Sequence, residues 1–126
     1  MNIEREKEVV HQFHYDARNI EWEETNGTPQ TNLNVQFQLA EDASNAGEND
    51  TAINSVLTFN IVLENLLLSG YLSQMNYIRG RVIEDRTALN QEEMQELAAP
   101  LFDILTRLTY EVTEIALDEP GINLEF

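Results

Sequence analysis

The chain contains no cysteine, which rules out disulfides, thiolate metal sites and a cysteine nucleophile. Basic residues are scarce: 7 Lys+Arg stand against 23 Asp+Glu, a formal net charge of -16. Such a chain repels phosphate backbones and anionic lipid, so neither nucleic acid nor a membrane surface is an expected partner. The bland reading of the acidity is a solvated surface that keeps the protein soluble; the sharper one is an acidic face that recruits a basic or metal-carrying partner. No apolar run is long enough to span a bilayer. The N-terminal MNIEREKEVV is charged and lacks the apolar centre of a signal peptide, so the expected compartment is the cytoplasm. Two N-x-[ST] sequons, at Asn26 and Asn49, read as chance matches without an export signal.

Catalytic signatures are missing too. There is no G-x-S-x-G, H-E-x-x-H, phosphate-binding P-loop or G-x-G-x-x-G. Only two histidines occur. His11 and His14 are three apart, which in a strand puts them on opposite faces and prevents joint chelation of one ion. His11 is expected on the apolar face of Phe13, as a hydrogen-bonded semi-core residue. The carboxylate groups Glu92-Glu93-Glu96 and Glu111-Glu114-Asp118 fall at a helix start and on a polar stripe, as solvated surface does. Arg79, Arg81 and Arg86 lie close together, but Glu84 and Asp85 neutralise them locally, so a structural ion-pair cluster is expected. These features predict a non-enzymatic protein with no cofactor and no metal.

What the chain does have is one domain's worth of apolar pattern, 42% hydrophobic over 126 residues. From Asn90 to Leu117, apolar residues recur at Met94, Leu97, Leu101, Ile104, Leu105, Leu108, Val112 and Ile115. Steps of three and four mark an amphipathic helix. Asn90 and Glu93 form a capping box at its start. Pro100 predicts a kink, or a short turn at 91–98 followed by the main helix. Asp103, Arg107 and Glu111 make a charged solvent stripe.

Everything before that helix reads as strand. Val9, His11, Phe13 and Tyr15 alternate with polar neighbours; the apolar set then shifts to Ile20 and Trp22, so a bulge or kink is expected near Asp16–Arg18. Asn26-Gly27-Thr28-Pro29 is a turn. Asn32–Leu39 alternates cleanly, and Ala40–Asp50 is an acidic hairpin loop. Ile53–Leu63 alternates apart from Ser55, Glu64-Asn65 reverses the chain, and Leu66–Ile78 is a last strand. Tyr71, Met75 and Tyr77 lie on one face of it, Leu72 and Ile78 on the other, which points to burial by a second subunit. Asp118-Glu119-Pro120-Gly121 stops the helix, and an extended tail follows. The predicted class is α+β: a four-stranded antiparallel sheet, a long C-terminal helix and that tail, in a single domain over 1–126.

Large side chains are in excess of what one helix covers. Phe59, Leu66, Leu67, Leu68, Tyr71, Tyr77, Phe102 and Tyr110 belong either to a homo-oligomer interface or to a groove for extended polypeptide.

Several stretches resemble the SecB-like family of export chaperones. FHYDARNIEWEE, from Phe13, is similar to its first-strand segment; INSVLTFNIVLENLLLSGYLSQMNYI is similar to its third and fourth strands. Pro100-Leu101-Phe102-Asp103-Ile104-Leu105 resembles its Pro-led helix, and Pro120-Gly121-Ile122-Asn123-Leu124 its post-helix segment. The resemblance is closest to a short Gram-positive branch of unknown function. It implies a homo-oligomer, a dimer or dimer of dimers, and ATP-independent, holdase-like binding of unfolded polypeptide or a protein partner. It also implies an acidic sheet face that meets a translocation ATPase. Tyr71, Tyr77, Phe102 and Tyr110, supported by Phe59 and Leu68, are the candidate polypeptide-binding or interface residues. The alternative is a scaffolding homo-oligomer with no client-binding activity.

Overall fold

Period-two alternation along three long strands sets the sheet, and a 3.6-residue period sets the helix that covers it. A computed structural model describes residues 1–40, 46–117 and 120–125. Among these residues lie β1 (Ile3–Arg5), β2 (Val9–Ala17), α1 (Ile20–Asn26), β3 (Asn32–Leu39), β4 (Thr51–Val62), β5 (Leu66–Ile78) and α2 (Gln91–Leu117), with a 3-10 turn at Arg86–Ala88 before α2. All pairings are antiparallel: β3 with β4, β4 with β5, and both β1 and β2 with β5. The sheet therefore has five described strands, not four, because the short β1 pairs with β5 beyond β2.

The register stacks Leu57 beside Leu72 and Ile61 beside Leu68, with Val35 next to Leu57. On that face Ile53, Leu57, Phe59, Ile61, Leu68, Leu72 and Ile78 are buried, against Leu97, Leu101 and Leu105 of α2. Each such side chain contributes roughly 1.5–3 kcal/mol by leaving water. The other face carries Asn32, Asn34, Gln36 and Gln38 of β3 with Asn54, Thr58 and Asn60 of β4, and no described element packs on it.

Polar side chains interrupt the buried face, among them Ser55, Gln74 and Asn76. Asn76 donates through Nδ2 to Ser55 Oγ (3.0 Å) and to the Gln74 carbonyl (3.2 Å), and Gln74 Nε2 donates to the Glu6 carbonyl (2.8 Å). Ser55 was the single break in the alternation of β4, and this partnership explains it. Gly70 marks a second constraint. Its φ is +154°, and a Cβ there would lie 2.0 Å from the Gln12 carbonyl oxygen and 3.0 Å from the Phe59 ring. Only glycine lets β2 approach β5 at this point.

Some expectations need correction. The segment after Ala17 is not a kinked strand but helix α1, because Asn19 Oδ1 caps it by accepting from Trp22 N (3.1 Å). Arg18 pairs with the buried Glu23 (2.6 Å) and donates to the carbonyls of Leu63 and Glu64, fastening α1 to the β4–β5 reversal. The bulge falls between Val10 and Gln12, at His11. His11 is exposed rather than semi-core; its ring stacks on Tyr71 at 4.9 Å and its Nε2 lies 2.6 Å from Ser73 Oγ. Ile115, assigned to the apolar helix face, is 77% exposed, while Thr109 and Thr113 are buried instead. Of the basic cluster, Arg79 pairs with Glu4 and Asp50, and Arg81 with Glu93, rather than with Glu84 or Asp85. The Arg86 side chain, Asp118, and residues 41–45 of the expected loop lie outside the described residues.

The capping box is present: Glu93 N donates to Asn90 Oδ1 (2.8 Å) and Asn90 N to Glu93 Oε1 (3.0 Å). Beyond it α2 runs unbroken through Pro100. Proline there leaves the carbonyl four residues earlier, that of Glu96, without its helical donor. Arg5 of β1 supplies one, Nη2 to Glu96 O at 2.7 Å. A guanidinium from the sheet thus completes the helix hydrogen-bond ladder. Arg5→Ala is expected to cost about 1–2 kcal/mol, and less when Pro100→Ala supplies the missing backbone donor. A double-mutant cycle by urea denaturation measures this coupling; additive effects would rule it out.

Two carboxylates also link folding to pH. The backbone N–H groups of Gly80 and Gly47, then Arg79, hold the Asp50 carboxyl below the usual carboxylate range. The Asn90 N–H, then Arg81, does the same for Glu93. A depressed folded pKa gives stability that is complete above the unfolded value, near pH 4, and is lost as pH falls toward the folded one. Asp50→Asn with Glu93→Gln should therefore flatten the decline of the urea midpoint between about pH 5 and pH 3. An unchanged slope relative to the parent would remove these two groups from the acid response.

Candidate functional site

Helix α2 carries two adjacent apolar stripes. Leu97, Leu101 and Leu105 step by four and are fully buried on the sheet. Met94, Ala98 and Phe102 also step by four, and with Ala99, Gln91 and Gln95 they face Val35 and Phe37 of β3 across a cleft of about 400 Å³. Strand β3 pairs only with β4 among the described strands, so its outer edge lies open beside this cleft. Phe102 packs against both halves of the core and sits at the cleft's end. Gln91 and Gln95 give the rim amides rather than charge. An apolar trough beside an open strand edge can take side chains from an extended chain while the edge offers backbone hydrogen bonds.

The candidate residues do not converge on one place. Phe102 lines the cleft. Tyr110, two turns further along α2, lines a smaller cleft of about 260 Å³ with Thr106, Arg107, Glu111 and Asn123. Phe59 and Leu68 are core, 2% and 0% exposed. Tyr71 and Tyr77 belong to the opposite face of the sheet. Tyr71 is exposed beneath the His11 ring, whereas Tyr77 is buried, with Arg79 over its ring at 5.0 Å and its hydroxyl donating to Glu6 Oε1 at 3.3 Å. Seven of the eight residues that line the cleft, all but Phe102, were not among the candidate site residues read from the sequence. The signal was available in the width of the helix pattern, since a stripe at 94, 98 and 102 beside one at 97, 101 and 105 exceeds what a single contact line needs.

Exposed apolar side chains also gather at the other edge of the sheet, on both of its faces. Val9, Val10 and Tyr15 of β2 and Ile20 and Trp22 of α1 are each 43% to 56% exposed. Strand β2 pairs only with β5 among the described strands. Exposed apolar side chains on an unpaired strand edge are the usual ingredients of edge-to-edge association. Among the described residues no group of three or more His, Cys, Asp or Glu could hold a metal ion, and no helix is long and apolar enough to cross a membrane.

A protein of unknown function from Streptococcus agalactiae, known by crystal structure, superposes with a TM-score of 0.92 at 55% identity, covering 100% of this chain and 98% of that one. A SecB-like chaperone of Mycobacterium tuberculosis, solved in complex with a peptide from an antitoxin, superposes with a TM-score of 0.55 at 12% identity, covering 98% of this chain and 90% of that one. The second likeness shows a shared SecB-like fold. No curated protein matches the sequence significantly. The match to proteins of unknown function, DUF1149, extends over residues 1–126, and the chain belongs to that family.

Proposed function

We propose that this is a non-enzymatic polypeptide-binding protein whose cleft between β3 and α2 takes an extended apolar segment, in the manner of a holdase. The observation that carries the reading is the cleft itself: Val35, Phe37, Met94, Ala98 and Phe102 form an apolar trough beside a strand edge with no described partner strand. The fold shared with a chaperone solved with a bound peptide supports it. We also infer that copies associate through the edge of β2, where Val9, Val10, Tyr15, Ile20 and Trp22 are exposed. The competing reading, a scaffold that binds no client, makes that edge the protein's sole apolar business.

The two readings separate in one experiment. Light-scattering chromatography of the pure protein, with and without a reduced and alkylated unfolded polypeptide, reports subunit number and co-elution together. Ala99→Glu places a charge in the trough from an exposed helix position and should weaken co-elution at least tenfold while leaving subunit number unchanged. Tyr15→Glu with Trp22→Glu should lower subunit number. A parent protein that forms oligomers yet ignores the unfolded chain would overturn the polypeptide-binding reading and leave the scaffold.

A further inference from the structure

The residues after α2 fold back onto the helix that precedes them. Ile122 N donates to Thr113 Oγ1 at 2.9 Å, and Thr113 Oγ1 in turn donates to the Thr109 carbonyl at 2.7 Å. Gly121 lies so close to Tyr110 that a Cβ would come within 2.6 Å of its carbonyl oxygen and 2.8 Å of its ring. Asn123 borders the Thr106–Tyr110 cleft, and Leu124 packs into the part of the core that includes Leu101, Leu105 and Phe102. The tail therefore runs antiparallel to α2, back toward its N-terminus. Phe102, Thr106, Tyr110 and Thr113 step by four, four and three, which is one flank of the helix. The tail covers the later part of that flank and the open cleft begins at Phe102, so the two lie end to end.

We infer that the tail is a resident ligand of the groove's continuation along this flank, from Thr106 to Thr113: an extended segment with aliphatic side chains two residues apart, as in Ile122-Asn123-Leu124, is the class of polypeptide this flank accepts, and the tail competes with it there. This deepens the polypeptide-binding reading above and rests on it. The tail shows each element of such recognition within one chain. It supplies a backbone N–H to a buried threonine hydroxyl, an aliphatic side chain to the core, and a glycine where backbone and ring approach. Displacing it lengthens the open trough from the Met94–Phe102 segment to the whole flank as far as Thr113. The competition is intramolecular, so a free peptide must overcome a high effective concentration of the tail.

The test uses the full chain and a labelled peptide of sequence Pro-Gly-Ile-Asn-Leu-Glu. Leu124→Ser removes the tail's core anchor, and Gly121→Val drives the tail off Tyr110; both leave the groove residues intact. Each variant should speed hydrogen exchange at the Ile122 amide and bind the peptide at least tenfold more tightly than the parent. A control peptide with its leucine replaced by serine should not bind. Released tails with peptide affinity unchanged from the parent, or with no binding at all, would overturn the inference. The broader reading is judged separately, by unfolded polypeptide on the parent protein and Ala99→Glu, where the tail is native in both. Binding there with no effect of the tail variants leaves the groove standing and removes the resident ligand.

Discussion

One helix is narrower than the sheet it covers, and much of this structure follows from that mismatch. An α-helix with side chains is about 10–12 Å wide, whereas four strands side by side at roughly 4.8 Å spacing extend some 15–20 Å. Helix α2 buries the central strands β4 and β5 and leaves the flanking strands β3 and β2 half covered. On the β3 side the shortfall is a cleft; on the β2 side it leaves Val10 and Tyr15 exposed. Both candidate surfaces are consequences of layer geometry rather than of any special motif. That is also why no single residue type announces them.

The layer contact is not purely apolar. Ser55, Gln74 and Asn76 lie buried on the sheet, and Thr109 and Thr113 on the helix. A buried polar group is costly unless paired, so each of these side chains constrains where its neighbours lie. Asn76 ties β5 to Ser55 of β4, and Thr113 ties α2 to the tail. Gln74 Oε1, Asn76 Oδ1 and Thr109 Oγ1 have no hydrogen-bond partner among the described residues. The polar positions and the Arg5 contact at Glu96 fix how α2 sits, while the leucines supply the adhesion.

The legible parts of the fold were those where one period dominates. Strands β3, β4 and β5 and the Asn90–Glu93 cap followed from alternation and capping chemistry, because burial on one face leaves little freedom of register. Helix α1 was not read because Ile20 and Trp22 are two apart and mimic strand alternation, while the deciding contacts, Asn19 with Trp22 and Arg18 with Glu23 and Leu63, include a long-range anchor. The unbroken course of α2 through Pro100 was hidden for the same reason, since its compensating donor comes from β1. Alternation also placed Tyr71 and Tyr77 on the face opposite Leu72 and Ile78, but the aromatic excess grouped them into one candidate site with residues of the other face. Tyr77 and Tyr71 went to one side of the sheet, Phe59 and Leu68 to the other.

The Arg5–Glu96 contact spans 91 positions of sequence, and β1 pairs with the far end of β5. Closing such long loops must precede the reward for the contacts they make, which slows folding in proteins rich in non-local pairing. The early part of α2, at Glu96, has this hydrogen bond only once the chain's first strand has docked. Until that happens the helix is weakest at Pro100, next to the cleft. In a chain whose first strand has not docked, the turn from Glu96 to Pro100 lacks that donor, and Ala98 and Ala99 of the cleft wall lie within it.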